Sequence, residues 1–162
     1  MALKQWIFNH DFARLYLVAS EKGLCGVYLR KTNAPILESL TSKVAQAQIL
    51  RQAARELGDF FAGKRQDFSV PLDIEGTSFQ KEVWAQLRKI PYAETWSYRD
   101  LAARVGRAKA YRAVGTANGR NPLSIIVPCH RVIAADGSLG GYSGGLALKA
   151  KLLDLERRVR GS

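Results

Sequence analysis

Ser97-Tyr-Arg-Asp-Leu-Ala-Ala-Arg-Val-Gly-Arg-Ala-Lys-Ala-Tyr-Arg-Ala-Val-Gly-Thr-Ala-Asn118 reads as two short helices with a tight turn between them. Ser97 and Asp100, three residues apart, form a capping-box pair. Leu101, Ala102 and Val105 then take core positions, and Gly106 breaks the helix. A second helix is expected over 108–118, in a segment that carries Lys109, Tyr111 and Arg112. Two short helices joined through a glycine, the second basic and aromatic, fit a helix-turn-helix. Short helix pairs also occur in ordinary cores, so this pattern alone does not decide for DNA.

Upstream, Thr77 and Gln80 repeat the capping pattern, and Phe79, Val83, Trp84, Leu87 and Ile90 recur on one face, predicting a helix over 78–90. Before it, residues 63–76 are polar and extended in character and close on Gly76, which places a domain boundary there: 1–75 and 76–162. In residues 42–61, Ala45, Ile49, Leu50, Ala53, Leu57 and Phe60 follow helical spacing, with Gly63 placed to end the element. The clusters Trp6-Ile-Phe8, Leu15-Tyr-Leu-Val18 and Val27-Tyr-Leu29, separated by polar turns, read as an antiparallel meander, with Cys25 as a buried strand residue. The fold class is therefore α+β. An N-terminal antiparallel sheet with one helix precedes a mainly helical C-terminal domain.

Downstream of the helix pair, Leu123-Ser-Ile-Ile-Val127 has the composition of a short strand, and Asp136-Gly137 that of a turn. The glycine-rich stretch Gly140-Gly-Tyr-Ser-Gly-Gly145 reads as a flexible loop before a closing helix bearing Leu146, Lys149, Leu152, Leu153 and Glu156. The 162 residues are 47% hydrophobic, enough for a core, and carry a net charge of +11 with a pI near 10.0. Residues 76–162 hold 15 Lys/Arg and 6 Asp/Glu, so 15 − 6 = +9 of that charge lies in the second half, leaving +2 for the first. Such bias points to a polyanionic partner, nucleic acid before an anionic membrane surface. No window has eighteen uninterrupted apolar residues, and the N-terminus lacks a signal-peptide pattern. The expectation is a cytoplasmic protein, at the nucleoid if bacterial, with Cys25 and Cys129 as free thiols.

Cys129 and His130 sit in Ile126-Val-Pro-Cys-His-Arg-Val132. A cysteine attacks as thiolate, so it needs a lowered pKa or a neighbouring base, and His130 is the nearest in sequence. On a strand the two side chains point to opposite faces, so they could meet only through a turn, which Pro128 could supply, or an intervening water. Taken alone, a Cys-His pair is more often structural than catalytic.

Pro128-Cys-His-Arg-Val132, with Asn121-Pro122 before it and Tyr142-Ser-Gly-Gly145 after it, resembles the O6-alkylguanine-DNA alkyltransferase family. The likeness extends over most of 77–158, including Ser97-Tyr98 and Arg112-Ala-Val-Gly115. It implies that Cys129 accepts the alkyl group, that His130 is a base linked to it through water, and that Glu156 orients and charges the histidine. Asn121 would brace the turn between the recognition helix and the active-site strand. The Tyr98 hydroxyl would face guanine N3 and the Ser143 backbone N–H would face O6. The carbonyls of Cys129 and Val132 would accept from the exocyclic amine, and Tyr142 would wall the base pocket. Arg112 would enter the stack as the base swings out, on a helix whose Ala113, Gly115 and Ala117 allow close approach to the minor groove, beside Tyr111 and Lys109.

The resemblance thus implies direct, irreversible, single-use transfer from double-stranded DNA carrying O6-alkylguanine, with O4-alkylthymine as a further candidate lesion. No cofactor is expected, nor any zinc, because the spare metal-binding side chains are few, and the free protein is expected to be a monomer. Two rival classes are a basic helix-turn-helix module with an inert Cys129 and a cysteine hydrolase. The charge and the arginine-bearing helix give the hydrolase no use.

Overall fold

A computed structural model of the chain describes residues 2–140, 142 and 145–161. It divides into two units, Met1–Glu75 and Gly76–Ser162. The class is α+β, as the sequence predicts.

In the first unit, strands β1 (Lys4–Asn9), β2 (Arg14–Ala19) and β3 (Leu24–Tyr28) pair antiparallel in the order β1-β2-β3, with Trp6 opposite Leu17 and Leu17 opposite Val27. Leu15 and Leu17 alternate inward, and helix α1 (Ala45–Phe61) buries Ala47, Leu50, Ala53, Leu57 and Phe60 in the same core. The helix starts later than residue 42 because Ser42 turns the chain instead, its hydroxyl accepting the Val44 N–H at 3.4 Å. Gly63, at φ +76°, ends it as expected, and Lys64 N–H reaches back to Asp59 C=O at 2.8 Å. Cys25 lies on β3, as predicted, but it is half-buried rather than buried, because the register shifts beside Val18 and Ala19, so that Leu24 and Val27 both face the core and Cys25 is the extra residue between them.

The polar segment after α1 is fastened by a buried carboxylate. Glu56, fully buried on α1, accepts the N–H groups of Ser69 and Val70 at 2.9 and 3.0 Å, the Ser69 hydroxyl at 2.8 Å and Gln52 Nε2 at 2.9 Å. Beyond it, Leu24 N–H donates to Pro71 C=O at 2.8 Å and Asp73 N–H to Leu24 C=O at 2.9 Å. A Cβ on Gly23 would lie 2.7 Å from the backbone carbon of Leu72, so that approach requires glycine.

The second unit opens with α2 (Ser78–Leu87) behind a complete Thr77–Gln80 capping box. The helix tightens to i→i+3 hydrogen bonds through Ile90 and stops before Pro91, which disfavours helical backbone at the residue preceding it. Trp84, 3% exposed, donates its indole N–H to Ala117 C=O at 2.9 Å. Strand β4 (Trp96–Ser97) leads into α3 (Tyr98–Val105), capped by the reciprocal Ser97–Asp100 box and ended by Gly106 at φ +79°. The expected second helix is split. Ala108–Ala110 is a single 3-10 turn, and α4 (Tyr111–Gly119) follows, packed on α3 and α2.

Residues 123–127, expected as a strand, form a buried turn. Ile125 has φ +77°, and Val127 N–H reaches Leu123 C=O at 2.9 Å. The β-branched composition reflects burial, and the backbone is satisfied within the turn and by a side chain. Asn121 Nδ2 donates to Val127 C=O at 2.7 Å and its Oδ1 accepts the Leu123 N–H at 2.9 Å. A 3-10 turn at Cys129–Arg131 then enters β5 (Val132–Ile133), which pairs parallel with β4, and α5 (Leu146–Gly161) closes the unit. Among the described residues no helix is long and apolar enough to cross a membrane.

Candidate active site

Cys129, His130 and Arg131 occupy one 3-10 turn, and all three are buried. With about three residues per turn, consecutive side chains leave some 120° apart, so neither strand alternation nor direct Cys–His stacking applies here. α5 supplies the other half of the cluster. Lys149, Leu152 and Glu156, three and four residues apart, lie on one buried helical face.

Glu156 is the hub. Its Oε2 lies 2.6 Å from His130 Nε2 and accepts Arg131 Nη2 at 3.0 Å. Its Oε1 accepts Arg131 Nε at 2.8 Å and the Ala93 N–H at 3.0 Å. Burial alone would raise this carboxyl, but the hydrogen bonds and charges of His130 and Arg131 bring it down to about 2. A carboxylate only accepts, so His130 Nε2 carries the hydrogen and the neutral ring keeps its lone pair on Nδ1. Nδ1 is buried and makes no hydrogen bond with the described residues. Burial holds His130 below its ordinary value against the pull of Glu156, with the charges of Arg131 and Lys149 acting the same way as burial.

Cys129 is 1% exposed. Burial pushes its thiol up to about 11, while the Asn121 side chain and the Lys149 charge pull down. The thiol is thus the resting form, and its proton has to be accepted during any attack. Lys149 donates to the carbonyls of Val132, at 2.6 Å, and Leu139. Burial lowers its ammonium to about 8, and the Cys129 charge opposes that. Burial, and then Cys129, raise the Tyr142 hydroxyl well above its ordinary value. Of the two carbonyls expected to meet a base, that of Cys129 accepts the Val132 N–H and that of Val132 accepts Lys149. Each retains a second lone pair.

On the outer face, Lys109, Tyr111, Arg112 and Ala113 are exposed, and Gly115 is half-buried. Tyr98, Tyr111, Arg112, Gly115, Ala134 and Ala135 line an open concavity of about 320 Å³. A Cβ on Gly140, which has φ +68°, would lie 3.0 Å from Tyr98 Oη, and one on Gly115 would lie 3.6 Å from the ring, so glycines flank Tyr98 on both sides. Of the four residues expected around a base, Tyr98 lines this concavity. Val132 is buried in β5, Tyr142 stands near Cys129, and Ser143 lies outside the described residues.

Sequence reasoning missed Arg131, Lys149 and Ala93, whose φ of +64° aims its N–H at Glu156. Only Lys149 left a signal, a lysine on the buried stripe shared with Leu152 and Glu156. Among the described residues no group of three or more His, Cys, Asp or Glu is placed to hold a metal ion.

Residues 8–74 match the family model described as 6-O-methylguanine DNA methyltransferase, ribonuclease-like domain, and residues 78–158 match the one described as 6-O-methylguanine DNA methyltransferase, DNA binding domain. The chain belongs to this family. It is 47% identical over 150 residues, 93% of this chain and 96% of the relative, to the methylated-DNA–protein-cysteine methyltransferase of Methanosarcina acetivorans. The crystal structure of Mycobacterium tuberculosis OGT in complex with DNA is similar to it with a TM-score of 0.85, at 38% identity, covering 96% of this chain and 94% of that one. The O6-methylguanine methyltransferase of Mycobacterium tuberculosis gives 0.84 at 37% identity, covering 96% and 93%. Family membership accounts for the concentration of positive charge in residues 76–162, the part that matches the DNA-binding model.

Proposed function

We propose that this methyltransferase repairs double-stranded DNA by moving the alkyl group of O6-alkylguanine irreversibly onto Cys129, once per molecule. The observation that carries the reading is His130 held through Nε2 by a buried carboxylate at 2.6 Å, in the same turn as a buried thiol, with its Nδ1 lone pair uncommitted within the described residues. The Cys129 S–H proton passes through a water to His130. The sulfur pair forms the S–C bond as the C–O6 bond breaks, and guanine leaves. Charge developing on the purine is met by the Tyr98 hydroxyl at N3 and the Ser143 amide at O6. Asn121 holds the preceding turn, and Val132 and Tyr142 wall the base.

The target atom lies inside the duplex, so the nucleotide swings out at a cost of a few kcal/mol, with Arg112 filling the stack. Tyr111, Ala113, Gly115 and Lys109 face the minor groove and its phosphates, which makes affinity fall steeply with salt. The thioether product has no leaving group through which water could regenerate the thiol. No cofactor takes part, the free protein is a monomer, and it works in the cytoplasm.

The experiment is to mix the protein with duplex DNA containing O6-methylguanine and weigh the intact protein and its Cys129 peptide. One added methyl on Cys129, with loss of the lesion, is expected. An unmodified Cys129 and a surviving lesion overturn the reading. Cys129→Ala should still bind the duplex without repairing it, and loss of binding would make the cysteine a structural residue.

A further inference from the structure

We propose that Arg131 is a positioning residue of this transfer: it shares Glu156 Oε2 with His130 and, together with the Ala93 amide, occupies Oε1, so that Glu156 orients the histidine without taking its proton. The inference rests on the reading above and adds to it the place where the proton stops.

The geometry is specific to an arginine. Nε and Nη2 grip both oxygens of Glu156 at 2.8 and 3.0 Å, Nη1 donates to Ile90 C=O at 2.9 Å, and the guanidinium lies 5.4 Å from the Tyr92 ring centroid. A lysine cannot make the two-pronged contact. The loop behind the carboxylate is held too. Ala93 sits at φ +64°, a left-handed conformation disfavoured for a non-glycine residue, which persists where its surroundings enforce it. Its N–H meets Glu156 Oε1 at 3.0 Å and its carbonyl accepts Arg160 Nη1 at 3.2 Å.

Four donors therefore converge on one carboxylate, and only one comes from His130. When the Cys129 S–H bond breaks, its proton adds to His130 Nδ1 while the Nε2 hydrogen stays in place between the two side chains. Passing that hydrogen on to Glu156 would leave the Arg131 guanidinium buried without a counter-charge. The charged groups that act on His130 are Glu156 and Lys149 from α5 and Arg131 from its own turn, with Tyr92 beyond Arg131. Of these only Glu156 favours the imidazolium. Arg131 tempers it, which keeps the resting ring neutral and able to accept.

The test is Arg131→Gln, read by the 15N shifts of the His130 ring in the free protein and by the pH profile of single-turnover transfer to O6-methylguanine duplex, normalised to folded protein. Freed of the guanidinium, Glu156 should raise the His130 midpoint by about one pH unit, and the acid limb of the rate should move up with it. Arg131→Lys keeps the charge and loses the fork, so the rate should fall about tenfold or more with the limb in place. A His130 midpoint and acid limb unmoved in Arg131→Gln would make Arg131 structural only and overturn the proposal. If that variant does not fold, the wild type decides through the 13Cδ shift of Glu156. A carboxylate that stays ionised while His130 takes up a proton supports the proposal, and one that gains the proton in that step overturns it. Absence of transfer in the wild type would sink the parent reading, and the ring titration would still report on Arg131.

Discussion

Glu56 and Glu156 are both carboxylates without exposed surface, one in each unit, and opposite kinds of partner hold them. Glu56 is met by neutral donors, two backbone N–H groups, a hydroxyl and an amide, with Arg65 no closer than 3.9 Å. Glu156 is met by an arginine fork and an imidazole, with one backbone N–H. Both sit below the ordinary carboxyl value despite burial, because hydrogen bonds to the ionised form outweigh desolvation. The difference is what else depends on the charge. Around Glu56 it fixes backbone, whereas around Glu156 it sets the protonation of a neighbouring base.

Replacing each carboxylate in turn separates the two roles. Glu156→Gln should have the largest effect. It strands a buried guanidinium, costing roughly 3–5 kcal/mol of stability, and it should lower the transfer rate per folded molecule by about a hundredfold or more. Urea unfolding and single-turnover kinetics on the same sample measure both. Glu56→Gln should cost about 1–3 kcal/mol for the strained or lost contacts to residues 69 and 70 and leave the rate per folded molecule within about twofold. A Glu56→Gln protein that folds normally but transfers slowly would end the contrast.

Acid should act on both, more gently. A carboxyl depressed in the folded state contributes stability that is present above its ordinary value of 4.5 and is lost as pH falls through the folded value, which for Glu156 extends to about 2. His130, depressed from 6.5 by burial, adds a loss of the same sign at the upper end, because the unfolded chain takes up a proton that the folded ring resists. Stability should therefore decline from about pH 6.5 downward, at no more than about 1.4 kcal/mol per pH unit for each group. Unfolding free energies across pH 2–7 that stay flat would refute the pairing of both carboxylates.

The fold was legible where its causes are local. The Thr77–Gln80 and Ser97–Asp100 boxes, and the helix stops at Gly63 and Gly106, depend on residues three or four apart, and the sequence displays them. The turn at 123–127 was misread because a run such as Leu-Ser-Ile-Ile-Val reports burial. The chain reverses there because the Asn121 amide replaces a partner strand, a tertiary fact without a periodic trace. The same limit explains the site. Cys129 and His130 stand out as a thiol beside a base, and Glu156 and Tyr98 are reached only through the resemblance, whereas Arg131 reads as one more basic residue. Its destination, a carboxylate 25 positions away, is set by how α5 packs.

The Trp84 indole, enclosed in α2 and hydrogen-bonded to Ala117 on α4, gives the molecule an optical gauge of its own. An indole whose N–H is tied to a helix carbonyl emits according to the field of that carbonyl, so a displacement of α4 is written into its spectrum. With Trp6 and Trp96 replaced by phenylalanine, the helix that carries Arg112 can thus be followed in real time through Trp84, without an attached label.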